Sequence, residues 1–272
     1  MRLAGGSAAV GGDGVPFVSV GARTDVGRVR RLNEDAFVAG SHVWAVADGM
    51  GGHAAGDVAS RLATEVLATI DRPGLSLEDV EGAILLANAR IVGHGTADPA
   101  AAGLGTTVAA VAEVVMGDVC HWAIVNVGDS RVYRLDAGRI ARATIDHSEV
   151  EELVMAGFIT DEQARTHPAR NVITRSLGSV PPPRVDVWVL PQTAGERFLI
   201  CSDGVHGELT DPEIADALLD RDAQEAVDTL VARALAHGGR DNLTAVLVDV
   251  LRSSDEQEDA TTNPRPGAEE RR

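Results

Sequence analysis

Five short segments of the sequence each place an acidic residue beside an apolar run. The acids are Asp48 in VADGMGGHAAG, Asp203 in RFLICSDG, Asp241 in GGRDNLTAVLVDV, Asp129 in AIVNVGDSRVYRL, and Glu34 with Asp35 in VRRLNEDAFVA. The apolar runs are rich in β-branched residues, which predicts that each segment delivers a carboxylate to the end of a buried strand.

One such acid alone would be ordinary turn chemistry, because aspartate bonds its own backbone and a following glycine accepts a positive φ. Several carboxylates at one edge of a sheet, in contrast, repel one another unless a cation lies among them. Ligand sets made only of oxygen atoms favour Mg²⁺ or Mn²⁺ over zinc. The sequence therefore predicts a centre for hard divalent cations.

The elements that position these acids are predicted to be short strands with a few helices. We expect strands near residues 15–21, 36–40, 42–47, 107–115, 119–127, 131–135, 185–190, 197–202 and 243–250, and helices over 57–70, 77–94, 148–157 and 223–238. Strands in adjacent pairs followed by paired helices favour antiparallel sheets covered by helices over a doubly wound parallel sheet. The expected organisation is one domain over 15–252, with disordered ends at 1–14 and 253–272.

Composition limits the possible partners. The 272 residues carry a formal charge of −17, so nucleic acid and anionic membranes would be repelled at long range. No apolar run approaches the roughly 18 to 20 residues needed to cross a bilayer. Cys120 and Cys201 lie in apolar surroundings, which favours free thiols. These features predict a soluble cytoplasmic protein without a nucleic-acid or membrane partner.

The acid-bearing segments together resemble the bacterial metal-dependent serine/threonine protein phosphatases, the PPM family or type 2C. The resemblance runs from about Val18 to Val250, through RRLNEDAF, VADGMGGHAAG, GTTVAAV, NVGDSRVY, LICSDG and GGRDN in the family's order. It implies an α+β fold, a four-layer αββα sandwich of two antiparallel sheets flanked by helices. It also implies hydrolysis of phosphoserine and phosphothreonine by a metal-activated water at a binuclear Mn²⁺ or Mg²⁺ centre.

The resemblance assigns metal roles to the acids. It implies that Asp48, Asp203 and Asp241 hold the first ion, and that Asp48 and the carbonyl of Gly49 hold the second, where a larger side chain would crowd the ions. Glu34 and Asp35 act through direct or water-mediated contacts, and which of the two matters more is left open. Asp129 matches a position that helps hold a third, weaker metal, with a simple turn role as the alternative.

The resemblance also indicates the residues that handle the substrate. Arg30 matches the phosphate-binding arginine, a task that suits the guanidinium fork, whereas Arg28 and Arg31 are expected to be surface charges. His53 is the candidate general acid, since it titrates in the useful range. Animal members place a histidine where this chain has Met50, so a structural role for His53 stays open. His147 is expected to be structural or to face the substrate, ahead of a segment, 148–180, that resembles the family's flap.

The residues around the two cysteines argue against another class of phosphatase. A cysteine phosphatase needs an arginine six residues after its thiolate, but Asn126 and Gly207 stand at those positions. Two alternatives remain: a two-metal hydrolase of small phosphoesters, and a catalytically silent domain that binds phosphoproteins. The main interpretation predicts phosphorylated proteins as partners, including a serine/threonine kinase and its substrates, and a monomeric enzyme.

Overall fold

The computed structural model describes residues 17–51 and 55–252. The expectations for the two ends, 1–14 and 253–272, and for His53 therefore lie outside the described residues. The strands are β1 (Phe17–Asp25), β2 (Asp35–Ala39), β3 (Val43–Met50), β4 (Gly105–Thr106), β5 (Val108–Met116), β6 (Val119–Val127), β7 (Arg131–Asp136), β8 (Arg139–Arg142), β9 (Asp186–Pro191), β10 (Arg197–Cys201) and β11 (Leu243–Arg252). The helices are α1 (Gly56–Thr69), α2 (Leu77–Ala97), α3 (Glu149–Met155), α4 (Asp161–Thr166), α5 (Asp203–His206), α6 (Asp211–Leu218) and α7 (Ala223–His237), with a 3₁₀ turn at Pro99–Ala101.

Two antiparallel sheets form the centre of the molecule. One contains five strands in the order β1-β11-β10-β7-β8, and the other has the order β2-β3-β5-β6-β9 with β4 paired to β3. Each sheet joins strands that are distant in the chain, so residues near the start and the end of the sequence meet. Strand β1 pairs along its whole length with β11, from Phe17 opposite Arg252 to Asp25 opposite Leu243.

The core has three layers of apolar contacts. Trp44, Trp122 and Phe198 lie between the two sheets as edge-to-face neighbours, with ring centroids 5.9 and 5.8 Å apart. Helices α1 and α2 cover the outer face of one sheet, and α6 and α7 cover the outer face of the other. This four-layer αββα arrangement of two antiparallel sheets confirms the predicted α+β fold class.

The elements that the sequence did not predict are short. Helix α6 has eight residues, and its start is marked by a capping box of Thr210 with Glu213 and by Pro212 in the first turn. Strand β8 spans only Arg139–Arg142 and pairs with β7. Such lengths hold too few residues for a period of 3.6 or 2 to emerge. Within the described ranges, the structure contains no helix both long and apolar enough to span a membrane.

Candidate metal centre

Strand pairing brings the first two acids together. Asp35 and Asp48 are direct partners in the β2–β3 ladder, and paired residues on one face have neighbouring side chains. Asp35 Oδ2 accepts a hydrogen bond from Ser202 Oγ at 2.8 Å. Asp35 Oδ1 is shielded from solvent and has no hydrogen-bond partner among the described residues. An acid from one sheet is thus joined to the segment that follows β10 in the other sheet.

Asp203 and Asp241 complete the group from the second sheet. Asp203 begins α5, and its charge acts on the neighbouring carboxyl group of Asp48. Asp241 lies just before β11, where Asp241 Oδ1 accepts from the Asn242 N–H at 2.9 Å. A Cβ on Gly204 would collide with the Asn242 carbonyl oxygen. Glycine is therefore required at 204 so that α5 can lie against the segment carrying Asp241.

Burial and mutual repulsion perturb these acids. Burial, together with the charges of neighbouring aspartates, raises the pKa of Asp35 to about 7 and that of Asp203 to about 6. The same two causes raise the pKa of Asp48 well above its usual value. A group of carboxylates with this electrostatic strain would be stabilised by a divalent cation.

Asp129 occupies the connection between β6 and β7, and its carboxylate is not what fixes that turn. Gly128 has φ +110°, and a Cβ there would lie 2.5 Å from Thr107 Cγ2. The Gly128 N–H donates to His147 Nδ1 at 3.0 Å. Asp129 itself is buried, and its Oδ1 has no hydrogen-bond partner in the described part of the chain. Burial, followed by the charge of Asp203, raises the pKa of Asp129 well above its usual value.

The structure adds to the sequence expectation the direction of the Glu34 carboxylate and a second reason for glycine at position 49. The Glu34 carboxylate lies against α1, since a Cβ on Gly56 would be 2.7 Å from Glu34 Oε1. It is Asp35 that the structure brings to Asp48. At Gly49, an added Cβ would collide with the carbonyl oxygens of Gly56 and Glu34. Backbone crowding therefore already requires glycine at position 49, whereas the sequence analysis gave crowding of metal ions as the reason.

The three arginines of RVRR are separated by the fold. Arg30 Nη2 donates to Asp241 Oδ2 at 2.8 Å, with about half of the Arg30 side chain exposed. This bond is the main reason that the pKa of Arg30 is raised. Arg28 Nε donates to the Leu235 carbonyl at 2.8 Å, away from the acids, and Arg31 is exposed. Arg30 is thus the arginine that the structure places at the acidic group.

His147 has a buried, structural position. Its Nδ1 accepts from the Gly128 N–H, so Nε2 carries the proton of the neutral ring and donates to Asp186 Oδ2 at 3.1 Å. Arg175 Nη1 also lies 3.0 Å from Nε2 and 3.1 Å from Asp186 Oδ1. Burial lowers the pKa of His147. Of the two expected roles, the geometry matches the structural one.

Sequence reasoning missed the residues that hold the acids in place. Asn242 accepts from the Glu34 N–H through Oδ1 at 2.9 Å and donates through Nδ2 to the Val26 and Leu32 carbonyls, both at 3.0 Å. His206 Nε2 donates to the Asp129 carbonyl at 3.0 Å. Burial, followed by the charge of Arg131, lowers the pKa of His206 to about 3. Both residues could have been found from their closeness in sequence to predicted metal ligands, because Asn242 adjoins Asp241 and His206 follows Asp203 by one helical turn.

The donor set fits hard cations in chemistry. In the described ranges, no three acidic, histidine or cysteine side chains already have the geometry of a metal site, and Arg30 donates a hydrogen bond to the Asp241 carboxylate. The unpartnered oxygens of Asp35 and Asp129 nevertheless supply the oxygen ligands that Mg²⁺ and Mn²⁺ prefer. These oxygens, together with the raised pKa values of both acids, match a site for a divalent cation.

Comparison with known proteins identifies the class to which this fold and this acidic group belong. The family model for protein phosphatase 2C matches residues 28–252, and the chain belongs to that family. Among similar curated proteins is the serine/threonine protein phosphatase PstP of Mycobacterium tuberculosis, 39% identical over 234 residues that cover 85% of this chain and 44% of PstP. The serine/threonine phosphatase stp of Listeria welshimeri is 37% identical over 84% of this chain and 94% of its own length.

Solved structures give the same result. The catalytic domain of PstP in complex with two manganese ions superposes with a TM-score of 0.78 and 37% identity, over 86% of this chain and 99% of that one. The family and the fold class expected from the sequence are thereby confirmed. This chain spans about half the length of the full PstP protein.

Proposed function

We propose that this chain is a metal-dependent protein phosphatase that hydrolyses phosphoserine and phosphothreonine in protein substrates. The observation that carries the proposal is the gathering of Asp35, Asp48 and Asp203, from two sheets, into one group of carboxylates with raised pKa values. The relatives named serine/threonine phosphatases support the same activity.

In this proposal the acids hold two Mn²⁺ or Mg²⁺ ions. Asp48, Asp203 and Asp241 hold the first ion, and Asp48 with the carbonyl of Gly49 holds the second. Asp35 supports the pair, and Glu34, which faces α1, contributes at most through water. When bound, such a pair supplies a hydroxide at neutral pH and neutralises charge on the phosphoryl group. The two manganese ions of the PstP catalytic domain support this number.

Arg30 is proposed to bind the substrate phosphate. It is half-exposed and already lies beside Asp241, so a rotation of its side chain suffices to turn the guanidinium toward an incoming phosphate. The bidentate fork of arginine matches two phosphate oxygens. His53 remains the proposed general acid for the departing serine or threonine oxygen, a role for which a histidine titrating near neutral pH is suited.

Asp129 is proposed to help hold a third, weaker metal ion. Its buried Oδ1 lacks a hydrogen-bond partner in the described ranges, and the Asp203 charge acts directly on it. The turn is held by His147 and by the conformation of Gly128, so the carboxylate is available for a ligand. These two observations favour the metal role over the turn role.

The surroundings of the acids favour a phosphorylated protein as the substrate. A cavity of about 360 Å³ beside Asp203 and Asp241 is also lined by Arg165, Arg170 and Arg240. Arginines at this position give an acidic protein a local attraction for phosphate. We propose phosphoproteins, including a serine/threonine kinase and its substrates, as partners of a monomeric cytoplasmic enzyme.

The test is turnover by the purified chain after removal of metal with a chelator. Phosphothreonine peptide, phosphotyrosine peptide and p-nitrophenyl phosphate are each assayed with Mn²⁺, with Mg²⁺ and without metal. The proposal expects phosphothreonine hydrolysis only with metal. Arg30→Ala should raise KM for the peptide, whereas Arg31→Ala, the control at the neighbouring exposed arginine, should not.

Three results would contradict the proposal. Full activity without a divalent ion would refute the metal mechanism. Hydrolysis of p-nitrophenyl phosphate without any peptide turnover would indicate an enzyme for small phosphoesters. Tight binding of the phosphopeptide with no hydrolysis in any metal would indicate a silent binding domain.

A further inference from the structure

The turn that carries Asp129 is tied to three separate elements. Gly128 bonds His147, which precedes α3, through the contact to Nδ1 and through the His147 N–H, which donates to the Gly128 carbonyl at 2.9 Å. Ser130 Oγ lies 2.7 Å from Thr107 Oγ1, next to β5. The Asp129 carbonyl itself is bonded by His206 Nε2 at 3.0 Å. Of these bonds, only the one from His206 is made to Asp129 itself, the residue on which the Asp203 charge acts.

The bond from His206 has a defined direction. A carbonyl oxygen only accepts hydrogen bonds, so the proton must be on Nε2 of the imidazole. His206 is buried, and an unpaired Asp129 carbonyl at this depth would be costly. The interaction therefore fixes both the ring and the turn.

His206 shares its helix with Asp203. The two residues are the last and the first of α5, a single turn whose closing bond runs from the Gly207 N–H to the Asp203 carbonyl at 2.7 Å. Gly204 presses this turn against the Asn242 carbonyl, next to Asp241. Movement of the Asp129 backbone away from Asp203 thus requires breaking the His206 bond or moving α5 away from Asn242.

The two acids linked in this way repel each other. The charge of Asp203 is, after burial, the largest cause of the raised pKa of Asp129. This repulsion favours movement of Asp129 away from α5. The His206 bond opposes that movement because it attaches the backbone of one acid to the helix of the other.

We propose that His206 is a positioning residue, which holds the Asp129 backbone so that the carboxylates of Asp129 and Asp203 stay close enough to share a divalent cation. This inference rests on the proposed metal-dependent function and adds a residue to it. His206 touches neither substrate nor metal in this role; it acts through Asp129. Its loss should weaken the third metal site, at Asp129, and leave the ions held by Asp48, Asp203 and Asp241 bound.

Two amide variants test the hydrogen bond from His206. In His206→Gln the side-chain amide reaches the position of Nε2 and keeps a donor for the carbonyl. In His206→Asn the amide ends one bond earlier, near the position of Nδ1, and the bond is lost. Asparagine also leaves a larger void than glutamine, so the Asp129→Asn background is needed to separate a lost bond from lost packing volume. His121→Asn is the remote control, because His121 Nδ1 bonds the Val119 carbonyl at 3.1 Å near the opposite end of β6.

The measurement is Mn²⁺ binding by calorimetry, together with kcat at saturating and limiting Mn²⁺. We expect His206→Asn to weaken the weakest binding step by about tenfold, the size of one lost buried hydrogen bond, with the tighter steps unchanged. His206→Gln and His121→Asn should stay within about twofold of the unmodified chain. In an Asp129→Asn background, His206→Asn should have no further effect on this step, because the carboxylate that His206 positions is already absent.

The results that overturn the inference differ from those that overturn the function. Equal Mn²⁺ affinities of the Gln and Asn variants, or an additive effect in the Asp129→Asn background, would show that His206 only fills space. Absence of Mn²⁺ binding and of turnover in the unmodified chain would overturn the proposed function and this inference with it.

Discussion

Gly49→Ala tests whether the backbone around the acids is as tightly packed as the structure indicates. The added Cβ would lie 2.5 Å from the Gly56 carbonyl carbon and would also meet the Glu34 carbonyl oxygen. Two carbon atoms in ordinary contact are about 3.5–4.0 Å apart, so the overlap is roughly 1 Å or more. Both obstacles are backbone atoms, one at the start of α1 and one just before β2, and neither can rotate away.

The expected cost follows from this overlap. Overpacking in a well-packed interior costs about 1–3 kcal/mol, and the absence of a movable side chain places Gly49→Ala at about 3 kcal/mol. For a domain of 150–250 residues, about 1 kcal/mol corresponds to roughly 2–4 °C in melting temperature. We therefore expect Gly49→Ala to lower the melting temperature by about 6–12 °C.

Gly82→Ala is the matched control. Gly82 is exposed within α2, and a Cβ there meets nothing within 4 Å. Alanine is about 1 kcal/mol more favourable than glycine in a helix, so this variant should melt roughly 2–4 °C higher than the unmodified chain. Both are measured by thermal denaturation with a chelator present, so that metal binding does not contribute. If Gly49→Ala melted within 2 °C of the unmodified chain, the packing argument at the end of β3 would be wrong.

Three further predictions concern the acids. Without metal, the free energy of unfolding should fall as the pH rises from about 4 to 7, since Asp35 (pKa about 7) and Asp203 (about 6) ionise at a higher pH in the folded than in the unfolded chain. Asp35→Asn should reduce this fall, as measured by denaturation at a series of pH values. An unchanged fall would contradict the assigned repulsion. Asp203→Asn and Asp241→Asn should each abolish phosphopeptide turnover with the circular dichroism spectrum preserved, and a near-normal rate at saturating Mn²⁺ would refute their metal role. Asp129→Ala should lower kcat by about 10²-fold, which is about 2.7 kcal/mol, while Mn²⁺ still raises the melting temperature. A destabilised variant with normal kcat would indicate that Asp129 only forms the turn.

The sequence was most informative where one pattern repeated. Apolar runs that end in Asp48 or Asp203, or begin after Asp241, predicted strand ends, and the adjacent pairing of strands predicted antiparallel sheets; the fold class is confirmed. The convergence of the acids depended on long-range pairing, since Asp35 and Ser202 are 167 residues apart and yet hydrogen bond. No local pattern encodes that distance.

The choice between Glu34 and Asp35 shows where the sequence reached its limit. Neighbouring residues at the start of a strand point to opposite faces, so only one of the two can face Asp48. Which one does so depends on the register of β2 against β3, and the structure pairs Asp35 with Asp48. The role of His206 could not be predicted from the sequence for a similar reason, because its hydrogen-bond partner Asp129 is 77 positions away.

The central claim is that acids from separate segments surround divalent ions. Its most direct test is anomalous diffraction at the manganese absorption edge from crystals of this chain grown with Mn²⁺. The account predicts two strong anomalous peaks within bonding distance of Asp48, one of them also contacted by Asp203 and Asp241, and a weaker third peak beside Asp129. Manganese peaks that all lie away from Asp48, or no peak at millimolar Mn²⁺, would contradict it.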